Sequence, residues 1–315
     1  MSLPVLVELV RSGVVESTHA GSVIALRADG STALALGVVD RPVFPRSSNK
    51  PLQAVGLLDA GWSHADDQSL DLATASHSGL PAHLEVVRRT LSAAGLTDDA
   101  LGCPALLPLD VEAAHALLRG GGEASRLTMN CSGKHAAMLA TCVANDWPTE
   151  GYLAPDHPVQ RAMTATIERL AGEPVHHVAV DSCGAPQHAL TLTGLARAFT
   201  GLATGDGSSR QTAEAMRAHP DLVGGPGREV TRLMAAIGGL VAKDGAEGVF
   251  AAALADGSSA AVKVADGSTR AAVPMLVGAL RALGVTAGVL DELATTPVLG
   301  GGVPVGELRG TSLLG

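Results

Sequence analysis

The run Arg46-Ser47-Ser48-Asn49-Lys50-Pro51-Leu52-Gln53 decides the fold, because it places a Ser-x-x-Lys pair where an apolar helix begins. Residues three apart on a helix share a face, so the Ser47 hydroxyl and the Lys50 amine can approach hydrogen-bond distance. Pro51 is compatible with the first helical turn, where the backbone N–H groups have no internal partner. The run therefore predicts a serine nucleophile with a lysine base.

A lysine acts as a base only when it is neutral, and an unperturbed lysine is charged at neutral pH. Burial, the positive end of the helix and a second cation would each lower its pKa. Lys263 is such a cation, since it lies in an alternating stretch, residues 258–264, that predicts a strand before the turn Asp266-Gly267. Penicillin-binding proteins and serine β-lactamases place a late strand lysine opposite their Ser-x-x-Lys helix. Without such support, the spacing fits a helix N-cap followed by a solvated lysine.

Composition narrows the function classes. The chain has 315 residues and a net charge of −9, enough length for one full core and no basic run that would favour nucleic acid. The first residues lack the pattern of a secretory signal, and no segment approaches the roughly 20 apolar residues of a membrane span. We expect a cytoplasmic protein with a small-molecule substrate and neither nucleic acid nor membrane as partner.

The hydrophobic periodicity predicts a mixed α/β (α+β) fold. Strands are predicted at both ends of the chain and helices in the middle, so one antiparallel sheet from both termini would enclose a helical region. The interpretation is a single domain over residues 1–315, with the sheet from about 1–46 and 240–315 and the helices in about 47–239. The predicted strands are 5–10, 22–26, 32–39, 175–180, 249–254 and 260–264, and the predicted later helices are 189–199, 212–218, 229–237 and 271–283.

The four cysteines fall into two kinds. Cys103 and Cys142 have small apolar neighbours, which favours inert buried thiols. Cys131 and Cys183 lie in polar turns that contain glycine, and two thiolates could hold zinc if the turns meet, with Lys134, His135 or Asp181 as a further ligand. Independent capped turns fit the same spacing, and a disulfide is not expected in a cytoplasmic chain.

Two residues of the run Ala75-Ser76-His77-Ser78 are candidates for the site. Ser76 follows an apolar segment and could present its hydroxyl as a second serine. For His77, capping or packing is favoured over catalysis.

Several of these stretches together resemble the rhizobial-type (class 3) L-asparaginase family, which shares its fold with serine β-lactamases and serine-dependent glutaminases. The order of the motifs carries the resemblance from about residue 11 to about residue 283. The matching residues are Arg11, Val15-Glu16-Ser17, His19, Arg46-Ser47, Lys50-Pro51, Gln53, Ala75-Ser76-His77-Ser78, Asn130-Cys131-Ser132-Gly133-Lys134-His135, Asp181, Cys183, His219-Pro220, Val262-Lys263 and Asp266-Gly267.

The resemblance implies two serine–lysine pairs, Ser47 with Lys50 and Ser76 with Lys263. It also implies a zinc ion (Zn2+) and a homodimer. The zinc ligands implied are Cys131, Lys134 and Cys183, and the residues implied around them and the substrate are Arg46, His77, Asn130, His135 and Asp181.

The expected reaction converts L-asparagine to L-aspartate and ammonia. Ser47 would attack the side-chain amide through Lys50, and water would then hydrolyse the aspartyl ester, although Ser76 could exchange roles with Ser47. Alternatives are a glutaminase or other small-amide serine hydrolase, a zinc-dependent amidohydrolase in which metal-bound water attacks, and a protein that only binds an amino acid.

Overall fold

The computed structural model describes residues 3–315 and shows a mixed α/β protein with antiparallel sheets. No helix within these residues is both long enough and apolar enough to cross a lipid bilayer. The strands are β1 (Val5–Arg11), β2 (Val14–Leu26), β3 (Thr32–Leu36), β4 (Pro42–Val43), β5 (His177–Val180), β6 (Pro186–Thr191), β7 (Val241–Gly245), β8 (Val249–Ala253), β9 (Ser259–Val264), β10 (Thr295–Gly300) and β11 (Val303–Gly310). The helices are α1 (Lys50–Asp59), α2 (Asp67–Thr74), α3 (Pro81–Ala93), α4 (Val111–Arg119), α5 (Ser132–Ala144), α6 (Pro158–Ala171), α7 (Leu192–Thr204), α8 (Ser208–Ala218), α9 (Pro220–Val223), α10 (Glu229–Ala236), α11 (Thr269–Ala282) and α12 (Val289–Leu293).

The main sheet has eight strands and combines both ends of the chain. Its strand order is β10-β11-β1-β2-β9-β8-β7, with β3 paired to β2 off this path, and neighbouring strands are antiparallel throughout. A smaller sheet of order β4-β6-β5 combines β4, which precedes the first helix, with two strands from the helical part of the sequence. The prediction of an antiparallel sheet in a mixed α/β protein is therefore confirmed.

The two faces of the main sheet have different neighbours. Lys243 lies opposite Ala251, which lies opposite Ala261, so these side chains share one face with Ser259. Helix α7 packs on that face, where the Thr200 hydroxyl lies 3.0 Å from the Ser259 hydroxyl. Helix α11 packs on the other face. Because alternate residues of a strand point to opposite faces, Lys243 and Asp244 start out in opposite directions.

Helix α1 lies at the junction of two hydrophobic clusters. Leu52 and Val55 pack in the cluster formed by the main sheet with α7 and α11. Ala54 and Leu57 pack in the cluster of the helical region, which includes α2, α3 and α5. Each fully buried leucine or valine contributes roughly 1.5–3 kcal/mol. The first turn of α1 is thereby fixed between the sheet and the helices.

The structure corrects the predicted elements at one helix and at several strands. The predicted helix 189–199 begins only at Leu192, because β6 occupies the preceding residues and is buried along its whole length. In a short run of buried residues, the hydrophobic periodicity does not distinguish a strand from a helix. Strands β7, β10 and β11 were not predicted. In β7 the charged residues Lys243 and Asp244 interrupt the apolar alternation, although the strand is almost entirely buried.

Candidate active site

Ser47 lies in a 3₁₀ turn, Arg46–Asn49, directly before α1. The Lys50 backbone N–H donates to the Ser47 carbonyl, so the two residues are one turn apart and share a face. Ser47 is half-buried, whereas Lys50 is buried. Arg46 has a φ of +53°, a left-handed conformation that is uncommon for a residue other than glycine. Such strain recurs where a backbone must present a functional side chain.

The Lys50 amine is held by the segment that carries the second serine. Its Nζ donates to the Ala75 carbonyl at 2.5 Å and lies 3.1 Å from the Ser76 hydroxyl. Ser76 is buried, and its backbone N–H donates to the Val223 carbonyl at 3.0 Å. Lys50 thus reaches from the turn of Ser47 to the hydroxyl of Ser76.

The predicted pair of Ser76 with Lys263 does not form. Lys263 donates instead to the carbonyls of Glu247 and Val264, because its place on β9 is opposite Ser22, two strands in from the β7 edge. Its side chain lines a separate cavity of about 520 Å³, together with Arg46 and Glu247. The lysine partner of Ser76 is Lys50.

Lys243 is the lysine that the sequence analysis missed. It is fully buried on the edge strand β7, and its Nζ contacts the Asp244 carboxylate. Burial lowers the pKa of Lys243 to about 8, with Lys50 and Arg228 adding to the effect and Asp244 opposing it. A signal was present, since Lys243-Asp244-Gly245 follows the Lys-x-Gly pattern of the penicillin-binding proteins.

Asp244 and Arg228 connect Lys243 to Ser76. Burial acts to raise the pKa of Asp244, but Lys243 and Arg228 outweigh it and hold the value at about 2. Arg228 is paired with this carboxylate and also donates from Nη1 to the Ser76 carbonyl at 2.7 Å. The second serine and the buried lysine therefore share one chain of polar contacts.

Gly245 lets β7 approach the turn of Ser47. A Cβ atom at this position would lie 2.3 Å from the Pro45 carbonyl oxygen and 3.1 Å from the Ser48 hydroxyl. That hydroxyl donates to the Lys243 carbonyl at 2.9 Å. Only glycine permits this approach, which brings the strand of Lys243 against the 3₁₀ turn.

Ser47, Lys50, Ser76 and Lys243 form the serine cluster of the site. A second cluster, the cysteine cluster, contains the predicted metal ligands, which the structure brings together. Cys131 precedes α5, Lys134 lies in its first turn, and the Lys134 Nζ is 3.4 Å from the Cys183 sulfur. The Cys131 thiol hydrogen-bonds Cys183 and lies 3.2 Å from the Asn130 Oδ1 atom. All three predicted ligands are buried.

Charge is concentrated on Cys183 in this cluster. The hydrogen bond with Cys131, together with Lys134 and His135, holds the pKa of Cys183 well below its usual range. The same hydrogen bond and burial raise the pKa of Cys131. Burial alone would lower the pKa of Lys134, but Cys183, Cys131 and Asp181 outweigh it and raise the value.

The donor set of this cluster fits zinc. Thiolates and nitrogen donors are preferred ligands of zinc, and two thiols and one amine meet here. No three histidine, cysteine, aspartate or glutamate side chains in that range are grouped to hold a metal. A metal held by Cys131 and Cys183 would therefore need Lys134, deprotonated, as its third ligand.

Arg46 links the two clusters. Its Nε donates to Asp181 at 2.7 Å and its Nη2 to the Ser182 hydroxyl at 2.6 Å, so the residue before Ser47 holds the loop that carries Cys183. The predicted residues Arg46 and Asp181 thus contact each other directly.

The two predicted histidines are both buried and hydrogen-bonded. His77 Nε2 lies 2.8 Å from the Ser132 hydroxyl, and burial, His83 and Lys50 hold its pKa well below the usual value. His135 Nδ1 lies 2.6 Å from the Tyr152 hydroxyl, and burial lowers its pKa. Both rings join neighbouring segments beside the two clusters.

The buried thiol of Cys142 lies outside these clusters, and that of Cys103 lies beside the second one, where Cys183 and Lys134 influence its pKa. Burial raises the pKa of each to about 11, as expected of unreactive thiols.

Comparison with known proteins gives one family match. The family model described as L-asparaginase II matches residues 7–310. Among solved structures, the chain is similar to "EstCE1, a hydrolase with promiscuous acyltransferase activity", with 12% identity and a TM-score of 0.37 over 82% of this chain and 87% of that one. No curated protein matches the chain.

Proposed function

The chain belongs to the L-asparaginase II family and is an amidohydrolase, and from this premise we propose that it hydrolyses L-asparagine through an acyl-enzyme on Ser47. The observation that carries the proposal is the position of the Lys50 amine. It starts one turn from Ser47 and lies 3.1 Å from the Ser76 hydroxyl, so Ser76 is the serine that it contacts and could pass a proton between Lys50 and Ser47.

We assign Ser47 as the nucleophile because it is the more exposed of the two serines. It is half-buried at a strained turn, whereas Ser76 is 5% exposed and is engaged by Lys50. The Ser47 oxygen bonds to the amide carbon of asparagine as Lys50 takes its proton. The C–N bond then breaks, and the nitrogen leaves as ammonia with a proton returned through Lys50 and Ser76. Water adds to the aspartyl ester by the same path, which releases aspartate and restores the Ser47 hydroxyl.

Lys243 keeps the positive charge of the cluster low. Two neighbouring buried ammonium groups repel each other, and Lys243 loses its proton near pH 8. Its deprotonation removes a cation beside Lys50 and so favours transfer of the serine proton. In this proposal Lys243, rather than Lys263, is the second lysine of the two serine–lysine pairs that the family resemblance implies.

The fold that we propose is that of the serine β-lactamases, in one domain over the whole chain. The Ser-x-x-Lys residues at a helix start, a serine on a second segment and Lys-x-Gly on the edge strand support it.

Zinc has a supporting place in this proposal, with Cys131, Lys134 and Cys183 as its ligands. When bound, the ion supplies a positive charge that orients substrate or loop. Because Arg46 donates to Asp181 and Ser182, a fixed position of the Cys183 loop also fixes the position of the Ser47 turn. A homodimer in the cytoplasm completes the proposal, and light scattering of the purified protein tests the dimer.

The test measures ammonia release from L-asparagine and L-glutamine, side by side, by the wild type, Ser47→Ala and Ser92→Ala. Ser92 is an exposed serine on α3 and serves as the matched control. The proposal expects asparagine turnover that collapses only in Ser47→Ala. Faster release from glutamine would assign the glutaminase alternative, whereas full turnover by Ser47→Ala together with loss on chelation would assign the zinc hydrolase. Amino-acid binding without ammonia release would leave a binding protein.

A further inference from the structure

A second cleft lies on the α11 face of the main sheet, opposite the face on which Lys243 starts. Its volume is about 530 Å³, within the range of small-molecule sites. Helices α10, α11 and α12 and strand β10 form its walls, and Asp244 and Phe250 form part of its floor. The cleft is lined by side chains that the proposed reaction does not use, apart from the pair Arg228–Asp244.

The charges of the cleft have both signs. Two ion pairs, Arg228–Asp244 and Arg232–Glu292, neutralise four of the charged groups that line it. They leave out Arg270, in the first turn of α11, and Glu229, in the first turn of α10, both of which are exposed. One cation and one anion are therefore available to a ligand at this cleft.

We propose that the cleft is a regulatory site for a small α-amino acid, and that L-aspartate bound there inhibits the enzyme. The Arg270 guanidinium and the N–H groups at the start of α11 receive a carboxylate, and Glu229 receives the ammonium group. The hydroxyls of Thr269, Thr295 and Thr296 supply further polar contacts at the same wall. A ligand with only one of the two charges would satisfy half of this arrangement.

The contacts of Arg228 couple the cleft to the serines. Arg228 lines the cleft, pairs with Asp244 and donates to the Ser76 carbonyl, while Asp244 also contacts the Lys243 amine. The second carboxylate of aspartate competes with Asp244 for this guanidinium. Ser76 then loses its donor and Asp244 is balanced by Lys243 alone, which favours the charged form of Lys243, so turnover falls. Since asparagine binds elsewhere, excess substrate does not relieve this inhibition.

The inhibition arm of this inference rests on the proposed function, so binding is measured separately. Calorimetric titration with L-aspartate compares the wild type, Arg270→Ala and Arg161→Ala, the last an exposed arginine on α6 that does not line the cleft. Because a charge-assisted contact is removed, we expect the affinity of the cleft for L-aspartate to fall by about tenfold or more in Arg270→Ala and to stay unchanged in Arg161→Ala. Equal aspartate binding by all three proteins overturns the site. Succinate, which lacks the ammonium group, must bind more weakly than aspartate, and equal affinity overturns the amino-acid assignment.

Initial rates of ammonia release test the coupling. The wild type is expected to show a component of aspartate inhibition that saturating asparagine does not remove, and Arg270→Ala to lose it while its rate without aspartate stays within about twofold. Inhibition that remains in Arg270→Ala overturns the regulatory role. Absence of any turnover by the wild type would instead contradict the proposed function, with the calorimetric result on the cleft still standing.

Discussion

Two buried lysines, Lys243 of the serine cluster and Lys134 of the cysteine cluster, have pKa values shifted in opposite directions from that of an ordinary lysine. Burial lowers the pKa of Lys243 to about 8, since its one carboxylate neighbour is shared with Arg228. Lys134 is equally buried, but its two thiols and a nearby carboxylate raise its pKa. The balance of neighbouring charges, rather than burial, decides which lysine can be neutral. Lys243 is therefore the lysine suited to the proposed proton transfer, whereas Lys134 without a metal is a counter-ion.

The largest effect expected is that of Lys243→Met, which should lower kcat by about 10³-fold because Asp244 loses its amine partner and the chain of polar contacts through Arg228 to Ser76 is broken. The matched control is Lys263→Met, another strand lysine, which should change kcat by less than about tenfold. Ammonia release at saturating asparagine measures both. A larger loss in Lys263→Met than in Lys243→Met would restore the pair inferred from sequence.

A substitution at the contact between strand and turn should follow in size. Gly245→Ala places a methyl group against the Pro45 carbonyl, so the Ser47 turn must shift, and a displacement of this kind costs about 10²-fold in kcat. At Gly238 a Cβ atom would meet no atom within 4 Å, and Gly238→Ala is the control. Equal rates for the two variants would show that the approach of β7 does not position Ser47.

The cysteine cluster should matter less to the chemistry. Cys131→Ser is expected to lose zinc by elemental analysis and to raise the KM for asparagine by about tenfold, with a smaller change in kcat, because the metal orients rather than reacts. Cys142→Ser, at a buried thiol outside the cluster, controls for the loss of sulfur. A collapse of kcat with an unchanged KM would move the reaction to the metal.

The smallest effect expected is a shift in the pH profile. Activity should rise as the pH increases through about 8, where Lys243 loses its proton. Asp244 favours the charged amine, so Asp244→Asn should move this rise to lower pH by about one unit. Asp266→Asn, at a carboxylate beside His19, is the control. A shift to higher pH in Asp244→Asn would contradict the assigned sign.

The sequence predicted the helix start at Ser47 and the two cysteine turns because each is a local pattern. Pro51, the Ser-x-x-Lys spacing and the glycine in the cysteine turns act within a few residues. Which strand lysine reaches the site depends on the strand order of the sheet, and the spacing of residues in the sequence does not reveal that order. Both lysines precede an Asp-Gly sequence, Asp244-Gly245 after Lys243 and Asp266-Gly267 after Lys263. Only Lys243 lies on the edge strand β7, which meets the turn of Ser47.

The contacts of Arg228 could not be predicted from local sequence patterns for the same reason. Arg228 is far in sequence from Ser76, and its role depends on the packing of α10 beside β7. Strand β7 was overlooked because its charged residues are those that a buried strand usually lacks.

The most direct test of the account is acid quenching of the enzyme during turnover of L-asparagine, followed by digestion and mass spectrometry of the peptides. We expect an aspartyl ester on Ser47 in the quenched enzyme. An ester on Ser76, or turnover with no ester on any serine, would contradict it.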